Sequence, residues 1–216
     1  MRRLSGDLRR TELLEGAVVV LLEKGFAKAT TRDLAAALGI GRGLIHHYFA
    51  SFEELQSEAF ARLAEDELGR AEAELAPLPP CEALTRLLDW LTPDPDDRHW
   101  RLWRDVWDEA QHDRALAELL NRLVERWRSL LAGVLRAGTA AGSFACADAD
   151  GAAWRLLGAA EGLGGYLLLP GAALGRPEVL AHLARAAAAE VGRAVCALEA
   201  QRLSGPTTVE ERQGDG

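Results

Sequence analysis

Three groups of side chains in this 216-residue chain have the types and spacing to do chemistry. Trp100, Trp103 and Trp107 stand at i, i+3 and i+7, which puts three indoles on one face of a helix. An indole face attracts a cation, and a carboxylate beside it adds Coulomb attraction. Asp108 directly follows the last of these tryptophans. Glu161 lies in the run Gly158-Ala159-Ala160-Glu161-Gly162-Leu163, where a charge is costly without a partner. A cationic ligand would be such a partner. So would Arg155 or Arg104, or a solvated edge of a subunit interface. The Trp stripe likewise reads as a ligand wall or as ordinary core packing. The second group is Arg42, Leu44, His46, His47 and Tyr48, positive charge and hydrogen-bonding edges gathered in one short segment that suits a DNA groove. Two solvated surface histidines are the alternative there. The third group is Cys81, Cys146 and Cys196, which show no CxxC or Cys/His ligand spacing. They support neither a disulfide framework nor a metal site, and reduced thiols in a cytoplasm are expected. Ser-His-Asp, paired-carboxylate and HExxH patterns are missing, and no phosphate-cradling glycine loop precedes a helix. The chain does not read as an enzyme, and no cofactor is expected.

These groups need a scaffold, and composition narrows it to helices. Apolar residues make up 49% of the chain, enough for a sizeable core. Val, Ile and Thr number 20 against 39 Ala, a balance that favours helix over sheet. Leu13, Leu14, Ala17, Val18, Leu21 and Leu22 recur at helical spacing and predict a first helix over about 8–24, stopped by Gly25. Thr30 with Asp33 forms a capping-box pattern before a short helix Thr31–Leu38, which Gly39 ends. Gly41-Arg42-Gly43 opens another short helix through Phe49, and Ser51 with Glu54 starts a long one to about Leu75. Beyond Pro77, Pro79 and Pro80, helices are expected at about 81–91, 98–111, 114–138, 148–169 and 176–200. The polar residues 204–216 read as a disordered tail. No run of about 18 uncharged apolar residues exists to span a membrane, and the N-terminus lacks the apolar stretch of a secretion signal.

Charge is uneven. Residues 1–50 hold eight basic and five acidic residues, a balance of +3, which leaves −11 on the rest of a chain at −8. An acidic body keeps the molecule soluble while a basic N-terminal segment faces a polyanion. Two short helices joined by Gly39-Ile40-Gly41 fit a helix-turn-helix, the glycine supplying the left-handed backbone of the turn.

The run Ala29-Thr30-Thr31-Arg32-Asp33-Leu34-Ala35, then Leu38-Gly39-Ile40, Gly43-Leu44-Ile45-His46-His47-Tyr48-Phe49 and Ser51-Phe52-Glu53-Glu54-Leu55, resembles the TetR family of repressors over about residues 10–56. The resemblance implies an all-α homodimer of about nine helices. Residues 1–56 would form a three-helix DNA-binding domain with the helix-turn-helix, and 57–203 a ligand-binding and dimerisation bundle. By position it implies DNA contacts from Thr30, Thr31, Arg42, Gly43, Leu44, His46, His47 and Tyr48. Three positions depart from the family: Gly41 replaces a Ser or Thr cap, His46 a phosphate-contacting Tyr, and Phe52 a phosphate-binding Lys. The pattern Trp103-x-x-x-Trp107-x-x-Ala110-x-His112-Asp113-x-Ala115-Leu116, with the Glu161 run, is similar to the choline-sensing BetI-type branch. That implies an effector site built from Trp100, Trp103, Trp107, Asp108 and Glu161. The Ala/Gly-rich last two helices permit the close approach of a four-helix dimer interface.

The expected function is a cytoplasmic, ligand-responsive repressor. A homodimer would hold double-stranded operator DNA until a small-molecule effector, cationic or aromatic, releases it. Two further readings stay open: the same regulator sensing neutral apolar compounds, and a helical protein-interaction module that binds no DNA.

Overall fold

A computed structural model describes residues 6–192, and every regular element among them is a helix. There are nine: α1 (Gly6–Lys24), α2 (Thr31–Leu38), α3 (Arg42–Tyr48), α4 (Phe52–Leu75), α5 (Pro80–Trp90), α6 (Arg98–Glu109), α7 (Arg114–Ala140), α8 (Ala149–Leu167) and α9 (Arg176–Val191). The expected extension of the last helix to 200, and the tail 204–216, lie outside the described residues.

Local chemistry sets the starts. The Thr30 hydroxyl accepts the Asp33 backbone N–H at 3.2 Å while the Asp33 carboxylate accepts that of Thr30 at 3.0 Å. Ser51 caps α4 by accepting the Glu54 N–H at 3.1 Å. Asp97, Asp113 and Asp148 do the same for α6, α7 and α8. Each satisfies backbone donors that a helix cannot pair internally. Gly39 ends α2 with φ 63° and ψ 36°, a conformation that costs side-chain-bearing residues about 1–2 kcal/mol.

Packing divides into two apolar clusters. One joins α5, α7, α8 and α9 around Leu84, Leu131, Leu135, Leu156 and Leu183. The other gathers Leu13, Leu34, Ile45 and Phe49 from α1–α3 and the loop after α3, then runs through Phe60 of α4 into Leu102, Val106 and Leu116 of α6 and α7. The boundary anticipated at residue 56 therefore falls inside α4, and the core around it is continuous. Arg10 clamps the start of the head, pairing with Glu58 and lying 4.8 Å over the Phe49 ring.

The cysteines correct one expectation. Cys146 is a buried free thiol, but Cys81 is disulfide-bonded rather than reduced. Sequence spacing carries no signal for such a bond, because the fold decides which sulfurs meet.

Candidate functional site

The α2–turn–α3 unit presents a polar outer face. Arg42, Gly43, His46 and His47 are exposed, while Leu44 and Tyr48 are half-buried and Ile45 is buried beneath them. His47 meets Tyr48 edge-on, with ring centroids 5.0 Å apart. Thr30 is exposed at the start of α2, but its hydroxyl is already occupied with Asp33; Thr31 is half-buried beside it. Gly41 at the head of α3 has no side chain to cap with, and its carbonyl accepts the Leu44 N–H at 3.0 Å.

The body encloses a cavity of about 560 Å³. All six tryptophans of the chain line it: Trp90, Trp100, Trp103, Trp107, Trp127 and Trp154. They come from α5, α6, α7 and α8, so no single helix carries the wall. Trp90 and Trp127 lie with centroids 6.5 Å apart. The interior is not dry throughout: Trp107 is 38% exposed and Trp154 52%, which marks the mouth.

Charged groups interrupt this aromatic wall at fixed points. Glu67, a buried residue of α4, accepts the Trp103 indole N–H at 3.0 Å and pairs with His99 Nδ1. That hydrogen bond raises the His99 pKa above its ordinary value, against burial, which lowers it. Asp97 is spent on capping, accepting the His99 and Trp100 N–H groups at 2.9 and 3.1 Å. Glu161 is different. Burial raises its carboxyl pKa, the Arg104 charge lowers it, and no hydrogen bond or ion pair reaches it among the described residues. Arg155, the other anticipated partner, is engaged elsewhere, with two bonds of 2.6 Å to Glu190.

The structure thus brings Trp100, Trp103, Trp107 and Glu161 to one cavity and leaves Asp108 exposed and outside its lining. Asp108 follows Trp107 in sequence, but neighbours on a helix point about a hundred degrees apart. Glu67, Arg70, Trp90, His99 and Trp127 escaped the sequence reading. Glu67 left a signal: it interrupts the apolar series Leu63, Ala64, Leu68, Ala71 on the inner face of α4. The joint between head and cavity was also missed. Phe26, in the loop after α1, gives its N–H to Asp105 of α6 at 3.0 Å, and its carbonyl accepts from Gln56 Nε2 of α4 at 2.6 Å. Its ring stacks edge-on against Phe60, which meets Trp103 in the same way at 5.0 Å.

A helix-turn-helix head on a helical body with an aromatic cavity open at one mouth fits a class, the ligand-sensing transcriptional regulators. Comparison with known proteins narrows it. Residues 13–59 match the family described as bacterial regulatory proteins, tetR family, and residues 80–192 match the BetI-type transcriptional repressor C-terminal domain. The chain belongs to the TetR family of transcriptional repressors, with a BetI-type C-terminal domain. It is 32% identical to the repressor KstR2 of Rhodococcus jostii over 63% of this chain and 68% of that one. It is 29% identical to the regulator BetI of Rhizobium meliloti over 60% of this chain and 66% of that one. A transcriptional regulator from Saccharomonospora viridis, solved in complex with choline, superposes with a TM-score of 0.74 at 29% identity, covering 82% of this chain and 94% of that one. No described helix is long and apolar enough to cross a membrane.

Proposed function

We propose that this repressor acts as a cytoplasmic homodimer, has no catalytic activity, and is released from a palindromic operator when an ammonium-bearing small molecule enters the tryptophan cavity. The observation that carries the reading is the convergence of all six tryptophans on one cavity that also holds Glu161. Indole faces and a poorly solvated carboxylate favour a cation over a neutral molecule of equal size, each face contributing about 0.5–2 kcal/mol. The choline held by the Saccharomonospora viridis relative supports the same ligand chemistry.

In this reading residues 1–56 bind DNA and 57–203 sense the effector and dimerise. Arg42, Gly43, Leu44, His46, His47 and Tyr48 approach the major groove, and Thr30 and Thr31 a phosphate. Trp100, Trp103, Trp107 and Glu161 hold the ammonium group. Asp108, exposed outside the lining, takes no part in it. Binding favours a conformation in which the two heads no longer match the operator, and DNA affinity falls by a coupling energy of about 1–3 kcal/mol.

The test is calorimetric titration of the full chain with choline and with 3,3-dimethylbutan-1-ol, its neutral isostere, alongside operator-release assays. The expected result is a preference for choline of about tenfold or more, reduced in Glu161→Gln. Equal affinity for the two, or tighter binding of the alcohol, would replace the cation reading with one of neutral apolar ligands.

A further inference from the structure

The charges around the cavity do not match a simple cation site. Three acids and two arginines line it, with His99 beside them. Two of the acids are already used: Glu67 by His99 and the Trp103 indole, and Asp97 by the α6 backbone. That leaves Glu161 as the one acid with no hydrogen bond or ion pair among the described residues. Against it stand Arg70 and Arg104. Neither has a carboxylate within 4.0 Å among the described residues. Arg70, on α4, gives its Nε–H to the Asp66 carbonyl of its own helix at 3.4 Å, and its guanidinium lies 5.8 Å over the Trp90 ring. Arg104, on α6, lies along α8 one turn beyond Glu161: its Cζ is 3.8 Å from where a Cβ on Gly165 would stand. A bare cation would gain from Glu161 and the indoles but would be repelled by two guanidinium groups with spare donors. A ligand with an ammonium at one end and an anion at the other uses all three charges.

We propose that the effector is a zwitterion, a quaternary or methylated ammonium joined by a short linker to a carboxylate or phosphate, with Arg70 and Arg104 holding its anionic end. This rests on the tryptophan-cage reading and extends it. An anion on a guanidinium forms charge-assisted hydrogen bonds, the stronger class, and planar donors grip both oxygens at once. The ammonium end keeps the indole faces and Glu161. Choline satisfies only half of the site.

The experiment titrates the full-length protein with choline, glycine betaine, carnitine, phosphocholine and 3,3-dimethylbutan-1-ol, using isothermal calorimetry. The same series is run on Arg70→Gln, Arg104→Gln and the double variant, with folding checked by circular dichroism and melting temperature. At least one zwitterion should bind the wild type about tenfold or more tightly than choline. The double variant should lose that preference while keeping or improving its affinity for choline, since it removes repulsion. A single variant that loses the preference would show which arginine grips the anion. Choline binding as well as every zwitterion, a preference that survives the double substitution, or equal losses for choline and zwitterions would overturn the proposal and leave the cage intact. A neutral alcohol binding as well as choline and the zwitterions, or no charged probe binding at all, would overturn the cage reading and the proposal together. The carnitine and phosphocholine arms separate carboxylate from phosphate.

Discussion

At the scale of single residues, two titrating groups make opposite predictions with pH. Glu161 has a raised pKa because burial disfavours its charge, with Arg104 opposing. A cation prefers the carboxylate, so ammonium affinity should fall as pH drops through that raised value, while a neutral isostere should stay flat. Calorimetry in buffers of different ionisation enthalpy should detect a proton released on binding, and Glu161→Gln should abolish it. Proton release that persists in Glu161→Gln would place the titrating group elsewhere. His99 has a raised pKa, chiefly from its hydrogen bond to Glu67. The folded protein therefore holds the imidazolium proton more tightly than the unfolded chain. The stabilisation is complete below about pH 6.5 and is lost as pH rises through the raised value. The melting-temperature gap between wild type and His99→Gln should thus stay constant below about pH 6.5 and narrow as pH rises above it, and a gap independent of pH would deny the pair its role. These two residues differ in how legible they were. Glu161 stands out in sequence because Ala, Gly and Leu surround it. His99 does not, since its partner lies 32 residues upstream on another helix and no local pattern joins them.

At the scale of elements, helix starts were legible because capping is local: Thr30 with Asp33 and Ser51 with Glu54 sit three residues apart in sequence and in contact in space. The tryptophan stripe of α6 was legible for the same reason. What periodicity could not give was which helices surround a cavity, so Trp90, Trp127 and Arg70 joined the site only through tertiary packing of α4, α5 and α7. The joint between head and body is of this kind. Asp105 accepts the Phe26 N–H beside Gly25, whose φ is 86° and whose missing Cβ would lie 2.6 Å from the Asp105 carboxylate. The chain therefore needs glycine there twice, for the backbone angle and for the approach of α6. Two rings, Phe26 and Phe60, run from this joint to Trp103 in the cavity wall. Asp105→Ala leaves a part-buried backbone donor unpaired and should cost about 1–3 kcal/mol in denaturant unfolding. It should leave effector affinity in the free protein close to wild type while weakening effector-driven operator release. Unaltered release in Asp105→Ala would move the coupling to α4 alone. Gly25→Ala should be at least as destabilising, because it forces both an unfavourable φ and displacement of Asp105.

At the scale of the whole molecule, the acidic balance of the chain and the basic balance of its first fifty residues fit the proposed homodimer, in which two heads act at once. One short recognition helix with exposed Arg42, His46 and His47 gives little affinity, since each good contact with a base is worth about 1–3 kcal/mol. A two-fold dimer places two such helices about 34–36 Å apart, one turn of DNA, and the second binding event becomes intramolecular. In the proposed dimer the covered surface includes α8 and the turn just beyond it, where Tyr166 is 59% and Leu169 57% exposed, beside the small residues of the same helix. Large apolar side chains left this open call for a covering partner, and a second copy gives a self-complementary one. Tyr166→Arg with Leu169→Arg sets like charges against each other across the two-fold axis. Sedimentation equilibrium should then report a dimer for the wild type and a monomer for the double variant. Operator affinity should drop by about a hundredfold or more, the loss expected when two half-sites must be bound separately. Effector binding should survive, because neither residue lines the cavity. Arg42→Ala is the contrasting case: the oligomeric state and the effector affinity should stay as in the wild type while operator binding alone weakens. A double variant that remains dimeric would place the interface on another face. One that becomes monomeric yet keeps full operator affinity would show that a single head suffices.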